Sequence, residues 1–191
     1  GDIQEGVSAE AAALAGRLKL GKLIIYWDDN DITIDGRTSL SMSEDVLARY
    51  RAYGFHVESV EDGEDLEALE AATKRALEDE RPSFIRVKTV IANPAPNKKD
   101  TSASHGAPLG ADEIEATKKI MGFPLEPFHV PEALKEAREA ILRRGMAARE
   151  QWEKLLDEYK RAEPSKAEEL AVALGDGLPK GWDEDLPEFP A

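Results

Sequence analysis

The chain has 191 residues, 41% of them apolar, a formal net charge of −14 and no cysteine. That length suits one domain and a tail, and the missing cysteine excludes a disulfide framework, a thiolate nucleophile and a zinc–thiolate site. The acidic balance argues against nucleic acid or an anionic membrane as partner, though not against a phosphate held by backbone amides and a metal.

The first residues form a polar turn, and Ser8 is the expected N-cap of a helix over 9–19, with Glu10 favourably placed against the helix dipole. The small residues Ala11, Ala12, Ala13, Ala15 and Gly16 suit a helix pressed against a sheet, and Gly21 is the expected terminator. The apolar run 22–27 reads as a strand covered on both faces, closed by Asp28-Asp29-Asn30, with a further turn at Asp35-Gly36. Ser43 is expected to cap a second helix bearing Val46, Leu47 and Tyr50 and ending at Gly54. Strands follow over 55–60 and 84–91, separated by a helix over 65–79 that Pro82 follows. Residues 92–110 form a loop longer than the roughly 12–15 residues at which a loop inside a domain is usually functional. Helices are then expected over 111–121, from Pro131 at N1 to about Arg144, around the Trp152, Leu155, Leu156, Tyr159 stripe, and up to Gly175.

Strands alternating with helices predict an α/β fold with a right-handed parallel sheet. Its expected form is an incomplete doubly wound βαβαβ core followed by a helical C-terminal extension. Residues 1–110 would be the ligand-binding region, 111–175 its helical extension and 176–191 a linker or tail. The loops after the first and third strands leave the same sheet edge, where open α/β folds bind ligands. Three parallel strands make a poor free-standing sheet, so a fragment of a larger protein, or a second polypeptide completing it, is expected. Nothing in the chain looks like a signal peptide or an apolar span of roughly 18–20 residues, and a cytoplasmic protein is expected.

Gly1-Asp2-Ile3-Gln4-Glu5-Gly6-Val7-Ser8 with Glu10-Ala11 resembles the end of the Gly-Asp-Gly thiamine-diphosphate motif of transketolases. Leu20-Gly21-Lys22-Leu23-Ile24 followed by Asp28-Asp29-Asn30 and Ile32-Thr33-Ile34-Asp35-Gly36 is similar to the motif's second half. Ser43-Glu44-Asp45-Val46, Arg49-Tyr50, Ala52-Tyr53-Gly54 and Ser104-His105-Gly106-Ala107-Pro108-Leu109 extend the resemblance to about residue 162. By the family's spacing Gly1 matches the last glycine of Gly-Asp-Gly. The metal-binding aspartate would then precede this chain, and Asp2 would not be the ligand.

The resemblance implies transfer of a two-carbon ketol unit between sugar phosphates, with thiamine diphosphate and Mg²⁺ or Ca²⁺ as cofactors. It assigns the Gly1 N–H to the diphosphate, the Asn30 side-chain oxygen and Ile32 carbonyl to the metal, and Ile34 to the cofactor rings. His105 would reach the diphosphate and the substrate, and Glu5 would join a carboxylate cluster at the interface of a homodimer. It also implies an activating glutamate on another domain, so that the chain alone has no turnover. The alternatives are the related dihydroxyacetone synthase and a non-catalytic binding or scaffold module of the same fold.

Without that resemblance, Asn30 is an ordinary turn residue, Glu5 a solvated or capping carboxylate, and His105 a surface histidine on a loop. His56 and His129 read as structural, and the Trp152 stripe as core. Asp28, Asp29 and Asp31 are expected to stay solvated rather than to cage a metal. Asn93-Pro94-Ala95-Pro96 departs from the glycine-rich turn of many relatives.

Overall fold

The computed structural model describes residues 2–175 and 177–187. Two units divide the chain, Gly1–Pro127 and Phe128–Ala191. In the first, α1 (Gly6–Arg17) leads into β1 (Ile24–Asp29), then a small hairpin of β2 (Ile32–Thr33) and β3 (Gly36–Arg37). After α2 (Val46–Ala52) come β4 (His56–Val60), α3 (Leu66–Glu78) and β5 (Ser83–Lys88), and α4 (Ala111–Met121) follows a long loop. The sheet has the order β1-β5-β4 with both pairings parallel, as the alternation of strands and helices requires.

Side chains alternate across β5, and the two faces receive different helices. Phe84 points into a cluster with Ala12 and Ala15 of α1, Val46 and Tyr50 of α2, and Phe55. Its ring stacks on Tyr50 at a centroid distance of 3.6 Å and an interplanar angle of 16°. Ile85 and Val87 lie on the opposite face with Val60 and the small residues Ala72 and Ala76 of α3. Phe84 and Ile85 are both completely buried. Helices on both faces of a parallel sheet make this a doubly wound core.

The small residues of α1 have a steric reason. A Cβ on Gly16 would lie 1.8 Å from the Tyr53 carbonyl oxygen, and one on Gly21 would lie 2.6 Å from that of Glu80. Gly21 therefore answers a close backbone approach and does not end the helix, which stops at Arg17. The run 22–27 is not covered on both faces, because β1 lies at an edge of the sheet and Tyr26 is 48% exposed. Helix starts also differ in detail. Asp45, not Ser43, caps α2 by accepting the Ala48 N–H at 2.9 Å, and Asp65 caps α3 through Ala68 in the same way. A carboxylate one residue before the helix reaches the third amide, whereas Ser43 is too far back. Ser8 sits inside α1, where its hydroxyl donates to the Asp2 carbonyl.

In the second unit, α5 (Glu132–Ala162) is one continuous helix where two were expected, and α6 (Pro164–Leu174) packs against it. Gly145 is carried through α5 at the usual cost of about 1 kcal/mol against alanine. Pairs one turn apart, such as Lys154–Glu150 and Arg149–Glu153, support the helix around it. The stripe expected to be core is not: Trp152 and Leu155 are exposed and no described residue of α5 is buried. Among the described residues no helix is long and apolar enough to cross a membrane.

Candidate functional site

β1 and β5 are neighbours and run the same way, so the segments leaving their carboxyl ends emerge side by side. The first carries Asn30 and the hairpin, the second the 92–110 loop. Between them lies a cleft of about 530 Å³, within the size range of small-molecule sites, lined by residues that include Asp2, Ser8, Asn30, Ile32, Tyr50 and His105.

Asn30 is held by its own turn. Its Oδ1 accepts the Ile32 N–H at 3.0 Å and its Nδ2 donates to Asp28 at 3.3 Å, so the amide oxygen faces the backbone of residue 32. Ile32 is buried and pairs with Arg37 across the hairpin. Strand alternation from Ile32 with an Asp35-Gly36 turn is the sequence signal for this hairpin, of which only the turn is expected above. Ile34 occupies its tip, 70% exposed and outside the lining of the cleft. Glu5 is likewise exposed and outside the lining, immediately before α1. Gly1 lies outside the described residues.

His105 enters the cleft from the other side. A short turn over Ser102–Ser104 precedes it, and its backbone N–H donates to Ser102. Its Nδ1 is buried without a hydrogen-bond partner among the described residues. Buried ring nitrogens are ordinarily satisfied, so this atom is suited to a group entering the cleft.

The aspartates around Asn30 differ from one another. Asp29 is buried, contrary to expectation, because Arg86 Nε lies 2.6 Å and Lys88 Nζ 3.5 Å from its carboxylate. Lys88 also reaches Asp31 at 2.5 Å, and exposed Asp28 accepts from the Thr89 hydroxyl. The Asp29 carboxylate keeps the Arg86 guanidinium more firmly protonated than usual. Phe84, Arg86 and Lys88 occupy one face of β5, so the strand passes from apolar core to charged site in three alternate residues. Charges at every second position of an otherwise apolar strand were the overlooked sign of this arrangement.

The loop itself is tied down by contacts missed in the sequence, among them the Asn93 side chain donating to Glu64. Glu113 of α4, itself buried, accepts the backbone N–H groups of Asn97 and Lys98 at 2.7 and 2.9 Å and the Asn97 side chain at 2.9 Å. The Asn97 side-chain bond, aided by those amides, keeps its carboxyl below the ordinary range. Arg37 meets Asp100 through two hydrogen bonds of 2.8 and 2.6 Å. His56, expected to be structural, sits between Ser83 at 3.2 Å and Glu58 at 3.3 Å, away from the cleft lining.

The donors on this chain suit a hard cation and a phosphate. Asn30 offers a neutral oxygen beside the Ile32 backbone, and all-oxygen coordination is what Mg²⁺ and Ca²⁺ prefer. Among the described residues no three His, Asp or Glu side chains form a metal-holding group. The first turn of α1, whose Ser8 lines the cleft, presents the positive end of its dipole.

Comparison with known proteins gives concordant matches. Residues 1–179 match the family model described as the transketolase thiamine diphosphate binding domain. A transketolase of Halalkalibacterium halodurans is 47% identical over 190 residues, covering 99% of this chain and 28% of that protein. One of Geobacillus stearothermophilus is 44% identical over 194 residues, covering 100% of this chain and 29% of its own length. A Pichia stipitis transketolase solved with sedoheptulose-7-phosphate superposes with a TM-score of 0.85 at 40% identity, over 96% of this chain and 28% of that one. The Leishmania mexicana transketolase gives a TM-score of 0.86 at 35% identity, over 97% and 28%. The chain thus spans a little over a quarter of the proteins it matches.

Proposed function

The chain belongs to the transketolase family, and on that premise we propose that it is the diphosphate- and metal-holding part of an enzyme that moves a two-carbon ketol unit between sugar phosphates. Thiamine diphosphate, when bound, supplies the carbanion chemistry that breaks and remakes the carbon–carbon bond. The residues of this chain hold and orient.

Asn30 would give its side-chain oxygen and Ile32 its backbone carbonyl to Mg²⁺ or Ca²⁺. Gly1 and the first turn of α1 would meet the diphosphate, and Ile34 the cofactor rings. His105, entering from the neighbouring loop, would hydrogen-bond the diphosphate and the substrate hydroxyls. The charge balance supports a cation. Asp29 and Asp31 pair with Arg86 and Lys88, and Arg86 is shared with Glu61. In the contacts above Asp28 meets only the Thr89 hydroxyl and the Asn30 amide, which leaves a surplus of negative charge where the diphosphate would settle. A divalent ion offsets that surplus.

Residues 1–110 would form the cofactor-binding region, 111–175 its helical extension and 176–191 the link to further domains. The parent enzyme would be a cytoplasmic homodimer, with Glu5 in a carboxylate cluster at the subunit interface. The observation that carries the reading is the meeting of Asn30, Ile32 and His105 in one cleft from loops on adjacent parallel strands. A coupled assay of the full-length protein tests it, with ketose and aldose phosphates, thiamine diphosphate and Mg²⁺. Cofactor-dependent ketol transfer is expected from the full protein and none from the 191-residue chain alone. No transfer by the full protein, or turnover by the isolated chain, contradicts it.

A further inference from the structure

We propose that the Arg37–Asp100 pair is a latch that sets the position of His105, which makes Arg37 a positioning residue for the transfer reaction. The inference rests on the reading of His105 given above, and it concerns how that side chain is held in place.

Arg37 lies in β3 directly across from Ile32, so its backbone belongs to the same small hairpin as the metal-side residues. Its guanidinium reaches out of the hairpin to grip both oxygens of Asp100 in the opposite loop, at 2.8 and 2.6 Å. Among the described residues this is the side-chain hydrogen bonding that joins the hairpin strands to the 92–110 loop. A planar fork meeting a carboxylate fixes orientation as well as distance, which a lysine in its place would not do. The Arg37 pairing in turn holds the Asp100 carboxyl below its ordinary range.

From Asp100 the order passes to His105 in short steps. The Asp100 N–H donates to the Ile91 carbonyl at 3.0 Å, anchoring the residue to the turn that follows β5. The Thr101 hydroxyl donates back to Lys98 and the Ser104 hydroxyl to Thr101, both at 2.8 Å. The His105 N–H closes the turn on Ser102 at 3.0 Å. Glu113 fixes the loop at Asn97 and Lys98 from the other side. The stretch 101–105 therefore follows directly on two ties, one to α4 at Asn97 and Lys98 and one to the hairpin at Asp100, and among the described residues the second alone refers His105 to Ile32 and Asn30.

The pair is half-exposed, with side-chain accessibilities of 50% and 42%. Such a pair adds little to global stability, so its removal can loosen the loop without unfolding the protein. The test uses the full-length protein with thiamine diphosphate and Mg²⁺, comparing Arg37→Ala, Asp100→Ala and the double variant. Either single substitution is expected to lower kcat/KM roughly tenfold, within the hundredfold that a 1 Å misplacement of a reacting group can cause. The loss should fall mainly on KM for the sugar phosphate, with the thermal midpoint unchanged and the double variant no worse than either single. Hydrogen exchange should rise severalfold at residues 101–105 and stay at the wild-type rate in β5. Adding Arg37→Ala to His105→Ala should cause no further loss. Additive single effects, or unchanged exchange at 101–105 in Arg37→Ala, would overturn the latch. If His105→Ala alone leaves kcat/KM at the wild-type value, the reading of the site fails instead, and the exchange measurement still decides the latch.

Discussion

The site end of the sheet and the long helix α5 are held together by opposite means. Around the cleft, side chains meet across the fold: Arg86 binds Asp29 and Lys88 binds Asp31, each 57 residues away, and Arg37 binds Asp100 across 63. Along α5 the described ion pairs join residues three or four apart, as in Lys135–Glu132 and Lys154–Glu150. Removing one partner at the cleft strands a group that topology has placed beside another element. Removing one in α5 costs a local increment that the helix averages out. The lesson is that the site depends on the order of strands, and the helix on its own periodicity.

Substitutions in the full-length protein can break or sharpen that contrast. Phe84→Ala should do the most damage, about 3–5 kcal/mol by chemical denaturation, because it empties the stacked contact with Tyr50 that joins β5 to α2. Gly16→Ala should cost about 1–3 kcal/mol or more, since its methyl group would meet the Tyr53 carbonyl and push α1 off the sheet. In α5 the same change has the opposite sign. Nothing lies within 4 Å of a Cβ at Gly145, and Gly145→Ala should stabilise by about 0.5–1 kcal/mol. Lys154→Gln should shift stability by no more than about 0.5 kcal/mol. A Gly145→Ala loss as large as that of Gly16→Ala would erase the distinction.

The smallest expected effect is local and depends on pH. The Glu113 carboxyl is held below its ordinary range, chiefly by the Asn97 side chain. A depressed carboxyl stabilises fully above its unfolded pKa of about 4.3, and the contribution disappears as pH falls through the folded value. The Asn97 and Lys98 amides should therefore lose protection from hydrogen exchange, relative to intrinsic rates, below about pH 4. Protection that persists there at the level seen at pH 7 would show that Glu113 is not the tether.

Much of the fold was legible because its signals are periodic and local. The strand positions, the helices between them and the shared sheet edge followed from apolar runs and turn residues, and α4 falls over the expected 111–121. What escaped depends on contacts that no single stretch encodes. Gly21 looks like a helix terminator until the Glu80 carbonyl is found against it. Asp29 looks solvated until Arg86 and Lys88 arrive from β5. Gly145 invites a break in a helix whose flanking charges carry it through. Within the site, Asn30 and His105 stood out by their neighbours in sequence, whereas Arg37 and Asp100 acquire their roles only when the two loops are brought together, and Glu113 only when α4 folds back on the loop before it.

The central claim is that the edge shared by β1 and β5 holds a metal–diphosphate group through Asn30. Titration calorimetry of thiamine diphosphate into the full-length protein, with and without Mg²⁺, tests it most directly when wild type and Asn30→Ala are compared. The account predicts Mg²⁺-dependent binding to the wild type and at least a roughly tenfold loss of affinity in the variant, as for groups that organise a metal site. An unchanged Kd in Asn30→Ala, with the Mg²⁺ dependence intact, would contradict it.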